Sequence, residues 1–273
     1  MSVKKKTTPF SISPNPNSLF LTSALEAVLF RARFTVDNRQ GLTVILGDNG
    51  LGKSTLIRYL HAEYDARDDV ISLLIPTPSF KSEYAMIQTI CSTVGLPSRR
   101  SVLAHQQELE TWLGEQYLAD KNVVLWIDEA QALTNKMLEV FRGLLNFETE
   151  TEKLIQIVMA GQLELRDRLL TDKLKPFKSR LVAPSILSPL TPEDVAGMLA
   201  YRCEYWKVAN PFTSETIDAL YTITGGLPRA TLSLCAVAFE MMKLSGAKTI
   251  SPDLIGVASR ETDISATAEE AAA

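Results

Sequence analysis

From residue 22 the apolar positions recur at helical spacing (Ala24, Leu25, Val28, Leu29, Ala32), and the pattern stops before Asp37-Asn38. That spacing predicts an amphipathic helix. An apolar run of strand type follows at 42–46, then a glycine-rich stretch, then helical spacing again (Leu56, Ile57, Tyr59, Leu60) to about Tyr64. Further short apolar runs occur at 70–75, 123–127, 154–160 and 181–187. Runs of this length predict strands, and the one at 123–127 a strand buried on both faces, as in a parallel sheet. Helical patterns lie between them, over about 82–94, 101–119, 134–147 and 162–170, with Pro76, Pro78, Gly95, Pro97 and Ser98 as punctuation. Strand alternating with helix over 42–187 predicts an α/β fold: a mostly parallel five-stranded sheet with helices on both faces.

At Pro189-Leu-Thr-Pro192-Glu193-Asp194 the texture changes. Thr191 suits a helix cap, Pro192 suits the first helical position, and acids follow. From there every segment reads helical, over about 192–206, 214–223, 227–244 and 252–259, with Ser214 and Ser251-Pro252 as further caps. The expected division is an irregular, proline-rich N-terminal segment (1–18), an α/β domain (19–188), a small all-helical domain (189–262) and a disordered tail (263–273). No internal repeat is present.

Composition narrows the class without deciding it. The chain has 273 residues, 46% hydrophobic and 22% charged, as in an ordinary globular protein. Its net charge of −4 is not that of a dedicated nucleic-acid binder, although a local basic patch is compatible with it. Lys4 to Lys6 and Arg99-Arg100 are the basic clusters. Cys91, Cys203 and Cys235 lack metal-ligand spacing and read as small core residues in a reducing compartment; His61 and His105 read as structural or surface residues. No apolar run reaches the roughly 18 residues a membrane helix needs, and the lysine-led N-terminus lacks the apolar core of a signal peptide. The expectation is a cytoplasmic protein with no membrane segment.

The chemistry is concentrated in two places. Gly47-Asp48-Asn49-Gly50-Leu51-Gly52-Lys53-Ser54-Thr55 fits the phosphate-loop pattern G-x-x-x-x-G-K-[ST], with a strand leading in and a helix leading out. Glycines let the backbone wrap an anion, and a helix N-terminus favours negative charge there. Lys53 is the candidate for the β- and γ-phosphates of ATP, and the Ser54 hydroxyl for Mg²⁺. The run at 123–127 ends in Asp128-Glu129, two carboxylates at the carboxyl end of a buried strand, where open α/β sheets bind ligands. This is the Walker B pattern: Asp128 is the candidate for the Mg²⁺ shell and Glu129 for activating water. Gln162, closing the run at 154–160, could hydrogen-bond the γ-phosphate or the water, or simply end a strand.

An α/β phosphate-loop domain followed by a helical lid is the AAA+ layout. More closely, the chain resembles the general secretion pathway A (ExeA-type) AAA+ ATPases over about residues 9–245. The resemblance is carried by Pro9-Phe10 with Pro14-Asn-Pro16, Gly47 to Ser54, Ile127-Asp-Glu-Ala-Gln131, Leu144-Leu-Asn-Phe-Glu148-Thr, Lys153-Leu-Ile-Gln-Ile-Val158, Gly161-Gln162 and Gly225-Gly-Leu-Pro-Arg229. It implies a three-layer α/β nucleotide-binding domain with a helical lid. It also implies Mg²⁺-dependent ATP hydrolysis in a homo-oligomeric ring or filament. Arg180 matches the arginine a neighbouring subunit inserts towards the γ-phosphate, Arg229 the lid arginine (sensor 2), and Gln162 the sensor 1 position. Residues around Pro9, Phe10 and Phe20 are expected near the base. Four positions depart from the family. Thr77-Pro78 stands in place of Asn-Pro, altering a polar switch that would contact Glu129; Ala24 stands for a histidine, Ser54 for a threonine and Asp48 for a glutamate. Secretion proteins of this type continue into a membrane segment and a wall-binding part, neither of which is seen here. The expectation is therefore an ATP-driven assembly switch that regulates another machine, leaning to a DNA-associated role like that of transposition helpers and origin-recognition-type proteins. The alternatives are a soluble assembly ATPase of a secretion or pilus system, and a weakly hydrolysing, nucleotide-gated scaffold.

Overall fold

A computed structural model describes residues 9–262; the Lys4 to Lys6 cluster and the tail from 263 lie outside the described residues. The chain forms two compact units that do not follow chain order. One is built from Ser23–Asn49 and Lys53–Leu187; the other combines the described residues up to Thr22, Gly50–Gly52, and the chain from Ser188 onward.

The first unit is an α/β layer structure. Its strands are β1 (Leu42–Leu46), β2 (Val70–Ile75), β3 (Asn122–Ile127), β4 (Ile155–Gly161) and β5 (Ser185–Ile186). They form one sheet in the order β2-β3-β4-β1-β5, with every pairing parallel. Strands β1, β3 and β4 are buried along their whole length, the polar Thr43, Asn122 and Gln156 included. Successive side chains leave opposite faces of a strand. Leu42, Val44, Leu125, Ile127, Ile157 and Met159 thus share a core with α3 (Glu83–Thr93), α4 (Val102–Leu118) and α5 (Asn135–Leu144). The opposite face is covered by α1 (Ser23–Asp37) and α2 (Lys53–Asp65). There Tyr64 packs on Trp126 with ring centroids 5.4 Å apart, and the two helices are joined by a bidentate Arg33–Glu63 pair at 2.8 and 2.7 Å.

The chain from β4 to β5 runs through α6 (Leu163–Leu169) and the single turn α7 (Lys175–Lys178). The apolar run 181–187 yields only two paired residues. Ala183 adopts φ 48°, a left-handed conformation that interrupts an extended strand after the isolated Leu42–Leu181 bridge.

The second unit holds α8 (Pro192–Tyr205), α9 (Ser214–Thr224), α10 (Pro228–Ser245) and α11 (Pro252–Thr262), with no named strand among its described residues. Thr191 and Asp194 form a capping box on α8. The cap of α9 is Thr213, which accepts the Thr216 N–H, so Ser214 is the first helical residue and not the cap. The segment from residue 9 is part of this unit's core. Phe10 is fully buried, edge-on to Phe212 and Phe239 at 5.4 and 5.3 Å. Arg202 Nη1 donates to the carbonyls of Pro9 (3.2 Å) and Ser11 (3.0 Å). The expectation that Phe10 lies against a nucleotide base is therefore not met: its ring has no surface left to offer.

Candidate nucleotide-binding site

The phosphate loop leaves β1 at Gly47, whose N–H donates to the Gly161 carbonyl at the tip of β4 (3.2 Å). Gly50 (φ 85°) and Gly52 (φ 93°) take the left-handed turns that side-chain-bearing residues avoid, and a Cβ built on Gly52 meets nothing within 4 Å. The turn delivers Lys53 as the first residue of α2. Its side chain is buried, and Nζ donates to the carbonyls of Gly47 and Asp48, both at 2.8 Å. Burial lowers the Lys53 pKa, while Glu129, Asp128, Asp48 and Glu164 oppose that shift. Four acids thus act on one ammonium at the carboxyl ends of the central strands. Asp48 and Asn49 are exposed at the loop crest; Leu51 is buried, and Ser54 and Thr55 are half-buried on the first turn of α2.

Asp128 follows β3, pinned by its N–H to the Ile75 carbonyl (3.0 Å). Its side chain is buried, which raises its pKa; the Ser54 hydroxyl and the Glu129 N–H pull the other way. The Glu129 N–H donates to Asp128 Oδ1 at 2.9 Å, and Glu129 itself sits at φ 53°, ψ 38°. A buried carboxylate beside a hydroxyl, its charge disfavoured by burial, suits a hard cation that keeps most of its ligands as water and phosphate oxygen. No cluster of three His, Cys, Asp or Glu side chains able to hold a metal by itself occurs among the described residues. The loop and this pair fit Mg²⁺ bound together with a nucleotide.

Gln162 caps α6, and its N–H donates to Gln131 Oε1 at 3.1 Å. Gln131 in turn donates through Nε2 to Glu129 Oε2. Arg168 holds the intervening turn, donating to the carbonyls of Gln131 (2.8 Å) and Leu133 (2.6 Å). Lys53, Ser54, Asp128 and Glu129 therefore converge within the α/β unit, and Gln131 joins Glu129 to the Gln162 backbone. Gln131 closes the Ile127 to Gln131 motif, but its partners depend on the β3–β4 register. Thr77, which stands in place of the family's polar switch, is exposed and donates to the Pro76 carbonyl (2.8 Å).

Arg180 is not with this group. It lines a recess of about 320 Å³ with Gln40, Leu145, Lys153, Ser179 and Val182. The Val182 N–H donates to Leu42, the first residue of β1, so the recess lies at the amino ends of the strands. Arg180 also depresses the pKa of Lys153, adding to the effect of burial. Arg229 is exposed at the second position of α10, and its N–H donates to the Gly50 carbonyl (3.1 Å) within the second unit. Its position follows from Gly225 and Gly226. Both have positive φ, and a Cβ on Gly226 would sit 2.1 Å from the Leu190 carbonyl. Of the basic pair at 99–100, Arg99 is bound to Glu108 (2.7 Å), which halves the cluster's free charge. His105 is buried, its Nε2 accepting the Arg99 N–H (3.0 Å), and His61 bonds Ser72 (2.8 Å); both are structural.

Comparison with known proteins agrees with this geometry. The family model described as an AAA domain matches residues 36–169. General secretion pathway protein A of Aeromonas hydrophila is 30% identical over 232 residues, covering 83% of this chain and 42% of that protein. The chain thus spans less than half the length of that relative. Among solved structures, the Aeropyrum pernix ORC2 protein (ADPNP-ADP complexes) superposes with TM-score 0.68 at 16% identity, over 94% of this chain and 71% of that one. The Aeropyrum pernix ORC1 protein in complex with DNA gives 0.66 at 16% identity, over 93% and 69%. At such identities the likeness to these two is one of fold. The strand order, the loop-and-carboxylate pair and the family match lead to one assignment: residues 36–169 are an AAA domain, in a chain similar to general secretion pathway protein A.

Proposed function

We propose that this chain is an Mg²⁺-dependent ATPase that works as an assembly switch. Copies associate with nucleotide held at their interfaces, and the assembled ring or filament recruits or regulates another machine. The loop N–H groups and Lys53 bind the phosphates, and Ser54 and Asp128 hold Mg²⁺, which when bound neutralises charge developing on the phosphate oxygens. Glu129 accepts the proton of the attacking water as the bond between the γ-phosphorus and the ADP oxygen breaks. Gln162 orients the water or the γ-phosphate, and Arg229 senses the γ-phosphate from within its own subunit.

The observation that carries the proposal is the separation of Arg180 from Lys53, Asp128 and Glu129. They lie at opposite ends of β1, a five-residue strand that spans roughly 13 Å at ~3.3 Å per residue. An arginine at the amino ends of the strands does not reach its own loop, but it is available to a neighbour's. A guanidinium supplied in this way stabilises charge spread over the transferring phosphoryl group.

The machine served is proposed to be DNA-associated, by analogy with the ORC1 protein solved with DNA. Weak basic patches such as Arg100 would act together when many copies line up. The second reading, a secretion or pilus assembly ATPase, is favoured by the identity to general secretion pathway protein A. Steady-state ATP turnover at several protein concentrations, with and without double-stranded DNA, separates them. The assembly reading predicts turnover rising faster than linearly with protein, and the DNA reading predicts stimulation by DNA. Strictly linear turnover would overturn the first, and indifference to DNA would favour the secretion reading.

A further inference from the structure

We propose that Gln131 is a positioning residue: it holds the Glu129 carboxylate in its working orientation and ties it to Gln162. This rests on Glu129 being the base. Glu129 sits on a left-handed backbone with a half-buried side chain, and its charge acts on the Lys53 ammonium. Left unrestrained, that carboxylate would rotate toward Lys53 and form an ion pair, removing both the base and the phosphate-binding cation from use. Gln131 prevents this. Its Nε2 donates to Glu129 Oε2, while its Oε1 accepts the Gln162 N–H at 3.1 Å. The amide orientation follows from chemistry, since a carboxylate only accepts and a backbone N–H only donates. One carboxylate oxygen is thereby held and Oε1 is left to take a proton.

The clamp is itself braced. Arg168 on α6 donates to the Gln131 carbonyl at 2.8 Å and the Leu133 carbonyl at 2.6 Å, and its Nη2 also reaches Asn135 Oδ1 at 2.8 Å. Gly161 makes room at the tip of β4: a Cβ there would lie 2.7 Å from Leu165 Cδ2 and 3.4 Å from both the backbone nitrogen and Oε1 of Gln131. The base at the end of β3 and the residue at the end of β4 therefore move as one. Gln131 makes the contact with Glu129 that the family resemblance implied for an asparagine at position 77.

The test compares the full-length wild type with Glu129→Gln, Gln131→Ala and Gln131→Glu, measuring kcat at saturating Mg-ATP and, separately, the Kd of ATP. Gln131→Glu has the same shape and still accepts the Gln162 N–H, but it sets a second carboxylate against Glu129. Both Gln131 variants are expected to lower kcat by at least about tenfold while ATP Kd stays within about threefold, the pattern of a lost transition-state alignment. Wild-type kcat in either variant, or Kd weakening in step with kcat, overturns the assignment of Gln131. Wild-type turnover in Glu129→Gln instead removes the base reading, and this inference with it. Stalled Glu129→Gln beside fully active Gln131 variants overturns the inference alone.

Discussion

Burial of Asp128 disfavours its charge, and a bound divalent cation would reverse that. Its raised pKa has a definite sign for stability. The folded, metal-free protein holds the Asp128 proton more tightly than the unfolded chain. That contribution is fully present below the ordinary carboxylate range and is lost as pH rises through the elevated value. Above that value the ionised carboxylate is a local liability. Asp128→Asn is expected to raise the melting temperature in EDTA, by about 2–4 °C for each kcal/mol relieved, while abolishing ATP turnover. A lower melting temperature by scanning calorimetry would show that the carboxylate is structural. Lys53 is the counterpart: its ammonium is desolvated yet acted on by Glu129, Asp128, Asp48 and Glu164, and it occupies itself with the Gly47 and Asp48 carbonyls. A phosphate is the ligand that would draw it away.

Elements differ in how much of their role the chain displays. The runs at 42–46, 70–75, 123–127 and 154–160 were legible as strands; β1, β3 and β4 are buried throughout, whereas β2 is buried only at Val70. The strand-loop-helix context then made the phosphate loop specific. β5 was less legible: of the stretch 181–187 only Ser185 and Ile186 form a strand on β1, because Ala183 is left-handed and Pro184, which has no N–H to give a ladder, follows it. Gln131 stands in plain view next to the carboxylate pair. Its function depends on which strand lies beside β3, and pairing is a long-range property. Phe10 was misread for a related reason. An aromatic in a proline-rich segment looks available for a ligand, whereas here Phe212, Phe239 and the Arg202 bonds to Pro9 and Ser11 draw the segment into the helical core. Phe10→Ala is expected to destabilise the helical unit by about 3–5 kcal/mol. Amide exchange should show this as lost protection along α8 and α10; unchanged protection would mean that the segment is peripheral.

At the scale of the whole molecule, the sheet separates two chemistries. Lys53, Asp128 and Glu129 collect at the carboxyl ends of the strands, while Arg180 and Lys153 share the recess at the amino ends. A net charge of −4 and an Arg99 already paired with Glu108 give one copy little hold on DNA, so any such hold would come from assembly. No helix among the described residues is long and apolar enough to cross a membrane. The central claim is that one catalytic site is built from two copies, and a mixing experiment tests it most directly. Glu129→Gln retains Arg180 but lacks the base; Arg180→Ala retains the base but lacks the arginine. Each alone is expected to turn over ATP poorly. Mixed, with co-assembly verified by crosslinking, they are expected to hydrolyse ATP well above the sum of the separate rates, because some interfaces then join an intact Glu129 to an intact Arg180. Additive rates in a co-assembled mixture would contradict the claim.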